Sequence, residues 1–495
     1  MASYLPEVRE FLSAQPLKLF IGGEWTNALS RKTFDTIDPG NGELLASVAS
    51  GDEADVDQAV KTAEKAFVES GWASMAVKER SATLHRFADL IDENVDTLAQ
   101  LESLDVGKPF IYAKEGDFPF VSLTLRYYAD LAVDARLDEE LSVDGFDASI
   151  FRRPYGVCAV VVPWNFPALL LSWGIAPALA AGNTIVAKPA EDTPLTALYL
   201  ALLSKKAGIP GGVFNVVTGF GETAGAALAR HPGIKRMSFT GSPLVGRLVA
   251  ESCGRNLVPV KLELGGKGAA VVFDDVDVAD VAEQLAGAIT LNTGQVCCTA
   301  TRWLIHENIR DEFVAKATSI LENVSIGHGL SETAEMGPIV SEKQRQRVLG
   351  YLERGIKEGA KPLLAGGAIE VEGEGKGFFV KPAILEGPPD NVCAREEIFG
   401  PVAYLMSFKD EDDAVDLVNR SDYGLANSVW TNDLNRASRV ARKLVAGSAW
   451  INAHNVFAPG IPYTGVNLSG LGGGSLGPEA LLDYLRPTSV VRPLE

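Results

Sequence analysis

Val157-Cys158-Ala159-Val160-Val161-Val162 is an unbroken apolar run of strand length. A strand that is apolar on both faces belongs inside a parallel sheet covered by helices on either side. The sequence beyond it keeps that pattern. Residues 184–188, 213–217 and 236–239 read as further strands, with helices expected after the first run, over 195–207, up to Arg230 and beyond Gly246. Glycines mark the strand-to-helix turns in Gly219-Phe220-Gly221 and Thr240-Gly241-Ser242. Such alternation predicts an α/β fold with a doubly wound, nucleotide-binding sheet. A second α/β unit opens after Glu263, with a strand over 268–273 and helices from Val278 and from Arg310.

Toward the N-terminus, residues 18–50 alternate short β stretches with turns, and 52–100 and 115–133 carry apolar residues at helical spacing. The most apolar stretch, 168–181, is too short to span a bilayer and contains Pro177, so it reads as a buried helix and no membrane is expected. Residues 141–153 alternate like an exposed hairpin, and Thr488-Ser489-Val490-Val491-Arg492-Pro493 reads as an isolated strand. Open strand edges need partners, so these two are expected to pair across a subunit boundary. Residues 452–477, rich in Gly, Pro, Asn and aromatics, read as an irregular substrate-lining loop.

A chain of 495 residues exceeds one ordinary core, and two or three domains are expected. A net charge of −19 disfavours nucleic acid as a partner. The opening Met1-Ala2-Ser3-Tyr4-Leu5-Pro6 runs into charged residues and does not resemble a secretory signal. Five cysteines, without a Cys-x-x-Cys, fit a reducing compartment, and a cytoplasmic location is expected. The five histidines are scattered, so no metal is expected.

Chemistry concentrates in three places. Cys297 sits in Asn292-Thr293-Gly294-Gln295-Val296-Cys297-Cys298-Thr299, Glu263 in Leu262-Glu263-Leu264-Gly265-Gly266-Lys267, and Asn165 in Pro163-Trp164-Asn165-Phe166-Pro167. A thiol nucleophile, a carboxylate base and an amide donor together make a thioester-forming site. The two glycine turns offer backbone amides and helix N-termini to phosphates. In Lys188-Pro189-Ala190-Glu191 a carboxylate follows a strand end, where it can accept from ribose hydroxyls and repel a 2′-phosphate, which favours NAD over NADP.

With these residues in view, the chain resembles the NAD(P)-dependent aldehyde dehydrogenase superfamily of the hydrolytic, non-acylating type. The resemblance runs from about residue 18 to the end through the motifs above, Phe239-Thr240-Gly241-Ser242 and Glu397-Ile398-Phe399-Gly400-Pro401. It implies Cys297 as nucleophile, Glu263 as deacylation base, and Asn165 with the Cys297 amide as oxyanion donors. Lys188 and Glu191 would hold the adenosine ribose, with Trp164, Ser242 and the Gly241 turn around the pyrophosphate. Gly221 is carried among the cofactor residues. Glu397 would bind the nicotinamide ribose and Phe399 would pack by the nicotinamide. The implied fold is a Rossmann-like cofactor domain (1–133 and 154–262), an α/β catalytic domain (263–475) and a small β oligomerisation segment (134–153 and 476–495). The implied assembly is a homodimer or homotetramer.

Two departures stand out. Pro243-Leu244 replaces a frequent Thr-Glu, and Gly472-Gly473-Gly474-Ser475 stands where the family often has Arg-Glu. The second removes a carboxylate, which places the deacylation burden on Glu263 alone. By position, Phe166, Leu170, Trp173, Val296, Phe457 and Tyr463 would line the aldehyde tunnel. That set has no Arg or Lys and fits an aromatic or medium-chain apolar aldehyde. Betaine aldehyde stays open through cation–π contact. His454 and Asn455 are candidates for a polar contact to a ring hydroxyl, although such residues more often only support the loop. A CoA-acylating enzyme would lack Glu263, and a non-catalytic binding protein would not need the full Cys–Glu–Asn set.

Overall fold

The computed structural model describes residues 4–135 and 137–494. Met1-Ala2-Ser3, part of the opening read above for a leader, lies outside the described residues.

The apolar run from Val157 forms the strand Val157–Val161, buried along its whole length. It sits inside an eight-stranded sheet. Thr184–Lys188 and then Phe214–Val216 lie parallel on one side of it. Arg236–Thr240 and then Val260–Glu263 lie parallel on the other. The direction of winding therefore reverses at Val157–Val161, and the crevice outside the carboxyl ends of such strands is where ligands bind. The antiparallel pair Leu19–Ile21 and Glu24–Thr26 closes one edge, and Gly470–Leu471 closes the other against Val260–Glu263.

A second sheet, of seven strands, begins with Gly268–Val272 only a few residues after Glu263. Ala300–His306 and Ala426–Trp430 flank that strand in parallel. The glycines in the linking Gly265-Gly266 are required by crowding: a Cβ on Gly266 would meet the Cys297 carbonyl oxygen at 2.3 Å. The connection thus presses the end of the strand Val260–Glu263 against the turn that carries the cysteine.

The apolar stretch around Pro177 is a helix, Pro167–Ala180, with almost every side chain buried. Among the described residues, no helix is long and apolar enough to cross a membrane. The region 115–133 is helical, but it begins with a π-helical turn, Ala113–Asp117, before Phe118–Asp134.

One expectation is corrected. The two isolated strands do not wait for another subunit to pair. Phe146–Pro154 pairs antiparallel with Leu485–Pro493 along nine residues of the same chain, and with Asp138–Val143 on its other side. The local alternation shows that each strand has an open edge but not which distant segment fills it. Among the described residues, the edges left free are those of Asp138–Val143 and Leu485–Pro493.

Candidate active site

Three strand ends of the first sheet deliver reactive groups to one place. After Val157–Val161 the chain passes through Trp164 and Asn165 into the helix Pro167–Ala180. After Arg236–Thr240 it passes Gly241 to Ser242, whose side chain accepts from the Val245 amide and caps the helix Pro243–Arg255. The Pro243 departure is thus accommodated in the first helical turn, where a missing N–H costs nothing. The strand Val260–Glu263 ends on Glu263 itself.

The second sheet supplies the cysteine turn, between the helix Val278–Thr290 and the strand Ala300–His306. Asn292, Thr293 and Gly294 are all left-handed, with φ of 46°, 57° and 68°. Side chains non-glycine residues rarely tolerate there must be held by their surroundings. Asn292 donates to the Asn165 carbonyl at 2.8 Å, and Thr293 to the Gly337 carbonyl at 2.9 Å. Gln295 donates to the Asn292 carbonyl at 3.0 Å and accepts from the Val340 amide at 2.9 Å.

That clamp holds the half-buried Cys297 with its Sγ 3.5 Å from the Tyr463 hydroxyl. The adjacent Cys298 thiol, and then the Tyr463 phenol, lower the Cys297 pKa against the opposing effect of burial. Burial holds the phenol far above its ordinary range, so it remains a donor to the sulfur. Burial also raises the Cys298 thiol. Of the two neighbours, Cys297 has the thiolate character that nucleophilicity requires. Cys158, Cys253, Cys298 and Cys393 are free and buried.

Asn165 is buried, and its Nδ2 donates to the Gln295 carbonyl at 2.9 Å. A primary amide carries a second N–H, which is left for a ligand. Glu263 is buried, and among the described residues neither carboxyl oxygen has a partner at ordinary hydrogen-bond geometry, although the Ser475 hydroxyl lies close enough to lower its pKa. Burial pushes its pKa up to about 8, while the charge on Lys261 pulls the other way. A carboxyl of that pKa is suited to taking a proton near neutral pH.

Two cavities meet at the sulfur. One, of about 500 Å³, contains all six tunnel residues, Phe166, Leu170, Trp173, Val296, Phe457 and Tyr463. The other, of about 440 Å³, is lined by Trp164, Gly241, Ser242, Glu397 and Phe399 among others. Asn165, Leu170 and Cys297 line both.

A family model described as the aldehyde dehydrogenase family matches residues 25–490. The chain belongs to this family. It is 43% identical to the mitochondrial aldehyde dehydrogenase of Homo sapiens, over 96% of this chain and 91% of that protein. It is also 43% identical to the phenylacetaldehyde dehydrogenase of Pseudomonas fluorescens, over 92% of each. Among solved structures, an NAD+ complex of an aldehyde dehydrogenase from Bacillus cereus superposes with a TM-score of 0.96 at 38% identity, covering 100% of this chain and 99% of that one.

Within this aldehyde dehydrogenase fold the cofactor candidates divide. Trp164 and Phe399 meet edge to face at 5.2 Å between ring centroids. Phe399 is left-handed, and the Glu397 carboxylate accepts from the Gly266 amide at 2.8 Å. Burial raises Glu397 to about 7. Lys188, Glu191 and Gly221 do not line this cleft. Lys188 binds Glu191 at 2.9 Å. Burial alone would raise the Glu191 pKa, but Lys188 and the amides of Glu191 and Gly221 outweigh it and keep it low. Lys343 and Arg347, which the sequence reading missed, also line the cleft. They stand on the ordinary amphipathic helix Glu342–Lys357, which carries no local signal of function.

The substrate cavity needs two corrections. It does contain a lysine, Lys108, just after the helix Val95–Val106. The Lys108 ammonium lies 4.1 Å from the Phe166 ring centroid and binds Asp117 at 2.5 Å and Glu102 at 3.3 Å. With two buried carboxylates on it, this cation is not free for an anionic substrate. His454 does not face a ligand either. Its Nε2 meets the Cys298 carbonyl at 3.0 Å and its Nδ1 the Ser428 hydroxyl at 2.9 Å. Burial lowers its pKa to about 4, so it is neutral support for the cysteine loop. Asn455 does line the cavity, and its carbonyl oxygen lies 3.4 Å from the Cys298 sulfur.

Proposed function

We propose that the protein oxidises an aldehyde to a carboxylic acid with NAD, through a thioester on Cys297. The observation that carries this reading is the position of the Cys297 sulfur, between an apolar cavity and a polar cleft, with Asn165 lining both and the buried Glu263 carboxyl close enough to feel the charge of the sulfur. In this reading the sulfur bonds to the aldehyde carbon, and the Asn165 amide with the Cys297 backbone amide binds the oxyanion. One such donor contributes about 3 kcal/mol to lowering a barrier of this kind. Glu263 then takes a proton from a water molecule, and the oxygen of that water adds to the thioester carbon. The carbon–sulfur bond breaks, the acid leaves, and the Cys297 thiolate returns.

The polar cleft fits a dinucleotide. It joins a capped helix N-terminus at Ser242 to the Trp164–Phe399 ring pair and the Glu397 carboxylate, with Lys343 and Arg347 as cations. Helix N-termini and cations suit a pyrophosphate. NAD, when bound, supplies the acceptor for the hydride that leaves the aldehyde carbon. Lys188, Glu191 and Gly221 would hold the adenosine end, and the charged Glu191 disfavours a 2′-phosphate.

The substrate we propose is an aromatic or medium-chain apolar aldehyde, because the rings of Trp173, Phe457 and Tyr463 pack against one another in the tunnel. Betaine aldehyde is the second reading, supported by the same rings together with Glu115 on the cavity wall. Glu263 speaks against obligatory transfer to CoA. The same reading divides the chain into cofactor, catalytic and oligomerisation parts with the boundaries given above, and makes the protein a cytoplasmic homodimer or homotetramer.

The test is NADH formation across phenylacetaldehyde, benzaldehyde, hexanal, betaine aldehyde and succinic semialdehyde, with and without CoA and with NADP in parallel. CoA-independent turnover of the apolar aldehydes with NAD is expected. Preference for succinic semialdehyde would overturn the pocket assignment, and strict CoA dependence would overturn the hydrolytic step.

A further inference from the structure

A lysine stands behind the proposed base. Lys261 and Glu263 are two residues apart on the strand Val260–Glu263, so their side chains leave the same face. Leu262, between them, points the other way into an apolar cluster. Lys261 is 2% exposed and Glu263 3%. The Lys261 ammonium donates to the Ser475 hydroxyl oxygen at 2.9 Å. Ser475 is itself buried, and its backbone is fixed by paired amide bonds with Tyr463 at 2.7 and 2.8 Å. A buried ammonium without a compensating anion is costly. The carboxyls near this one are Glu263, at the reacting centre, and Asp483 on the far side, which faces Arg236 at 3.3 Å.

We infer that Lys261, acting through Ser475, is a positioning residue that raises the fraction of Glu263 that is ionised and able to accept a proton. With its oxygen accepting from Lys261, the serine hydroxyl is left to turn its own proton toward the Glu263 carboxylate. The lysine charge and that hydroxyl both favour the anion, against the burial that disfavours it. No covalent step is added: the proton still goes from water to Glu263. What Lys261 sets is the fraction of Glu263 able to accept it at neutral pH.

The titratable and charged groups around this pair come from four elements. Arg236 faces Lys261 from the neighbouring strand Arg236–Thr240, Asp483 from the end of the short helix Glu479–Leu482, and Cys297 and Tyr463 face Glu263 from the cysteine turn and the tunnel loop. Arg236 raises the cost of a charged Lys261, and Asp483 and Glu263 lower it. Removing Lys261 therefore takes from Glu263 the positive charge that offsets its burial, with Cys297 still beside it, and its pKa must rise.

This inference rests on the proposed roles of Cys297 and Glu263, and the experiment keeps the two apart. The chain is acylated with 4-nitrophenyl acetate. The nitrophenolate burst reads acylation of the cysteine, and the following steady rate reads deacylation as a function of pH. The wild type is expected to give one burst per subunit and a deacylation rate that climbs with pH, and Cys297→Ala is expected to give no burst. Loss of the wild-type burst, or its survival in Cys297→Ala, overturns the proposed function. With those controls in place, Lys261→Met is expected to keep the burst and move the deacylation midpoint to higher pH by a unit or more, which is about tenfold in rate at pH 7. Ser475→Ala, which keeps the lysine, is expected to move it the same way by less, and it decides the question if Lys261→Met does not fold. A midpoint left in place, or a rate lowered equally at every pH, overturns the inference.

Discussion

At the Cys297 sulfur, the nearest groups decide reactivity more than the cysteine itself does. The Tyr463 hydroxyl is a case the motif could not show: position 463 reads as a tunnel wall, and only the 3.5 Å contact reveals a donor. Tyr463→Phe keeps the ring and removes that donor, so the thiol pKa rises. Iodoacetamide inactivation, which follows the thiolate, should then shift to higher pH, with the aldehyde KM little changed; an unchanged profile would remove Tyr463 from the account. Asn165→Ala should lower kcat about 10²–10³-fold with NAD binding intact, measured by steady-state kinetics and fluorescence titration. The pH dependence has a definite sign. Glu263 accepts a proton only when ionised, and its pKa is raised to about 8 by burial, so deacylation should increase as pH rises through about 8. The raised pKa also means the ionised carboxyl is less favourable in the folded chain than in the unfolded one. Its contribution to stability is greatest at low pH, below the unfolded value, and is lost as pH rises through 8.

Among the elements, the cysteine turn carries the most stored constraint. Gly294 is left-handed, and a Cβ there would lie 2.3 Å from the Gly400 carbonyl. Gly294→Ala therefore must move either the turn or the segment that bears Phe399. Because small misplacements at a reacting centre are expensive, kcat should fall by about 100-fold, while circular dichroism shows the fold retained. A variant with wild-type kcat would show the turn to be looser than its hydrogen bonds imply. The cysteine motif of this turn was legible beforehand, and so were the strands at 157–162 and 236–239, from their apolar runs and glycine ends. The strand Val260–Glu263 was not, because Lys261 and Glu263 leave it no apolar run. The lysine in the tunnel was not legible. Lys108 follows a Gly107 helix end that looks like any surface cap, and only folding brings it under Phe166. The partnership of Phe146–Pro154 with Leu485–Pro493 was hidden for the same reason, since strand pairing is a long-range fact that alternation does not encode.

The molecule as a whole places two sheets so that their strand ends and turns converge on one sulfur, with Gly265-Gly266 as the tight link between them. It leaves the small three-stranded sheet with free edges and with Val143, Phe146, Val490 and Val491 exposed. Such exposed apolar residues on an open sheet are a surface that the proposed homo-oligomer would cover. Sedimentation velocity should show a dimer or tetramer, and removal of residues 485–494 should give smaller species; a monomeric full-length chain would contradict that. The central claim is that one turnover passes through a thioester on Cys297 that Glu263 hydrolyses. Its most direct test is a stopped-flow NADH trace with phenylacetaldehyde and NAD for the Glu263→Gln variant. The account predicts a burst of one NADH per subunit followed by steady turnover slowed at least a hundredfold. A trace without the burst would place Glu263 before hydride loss and contradict the account.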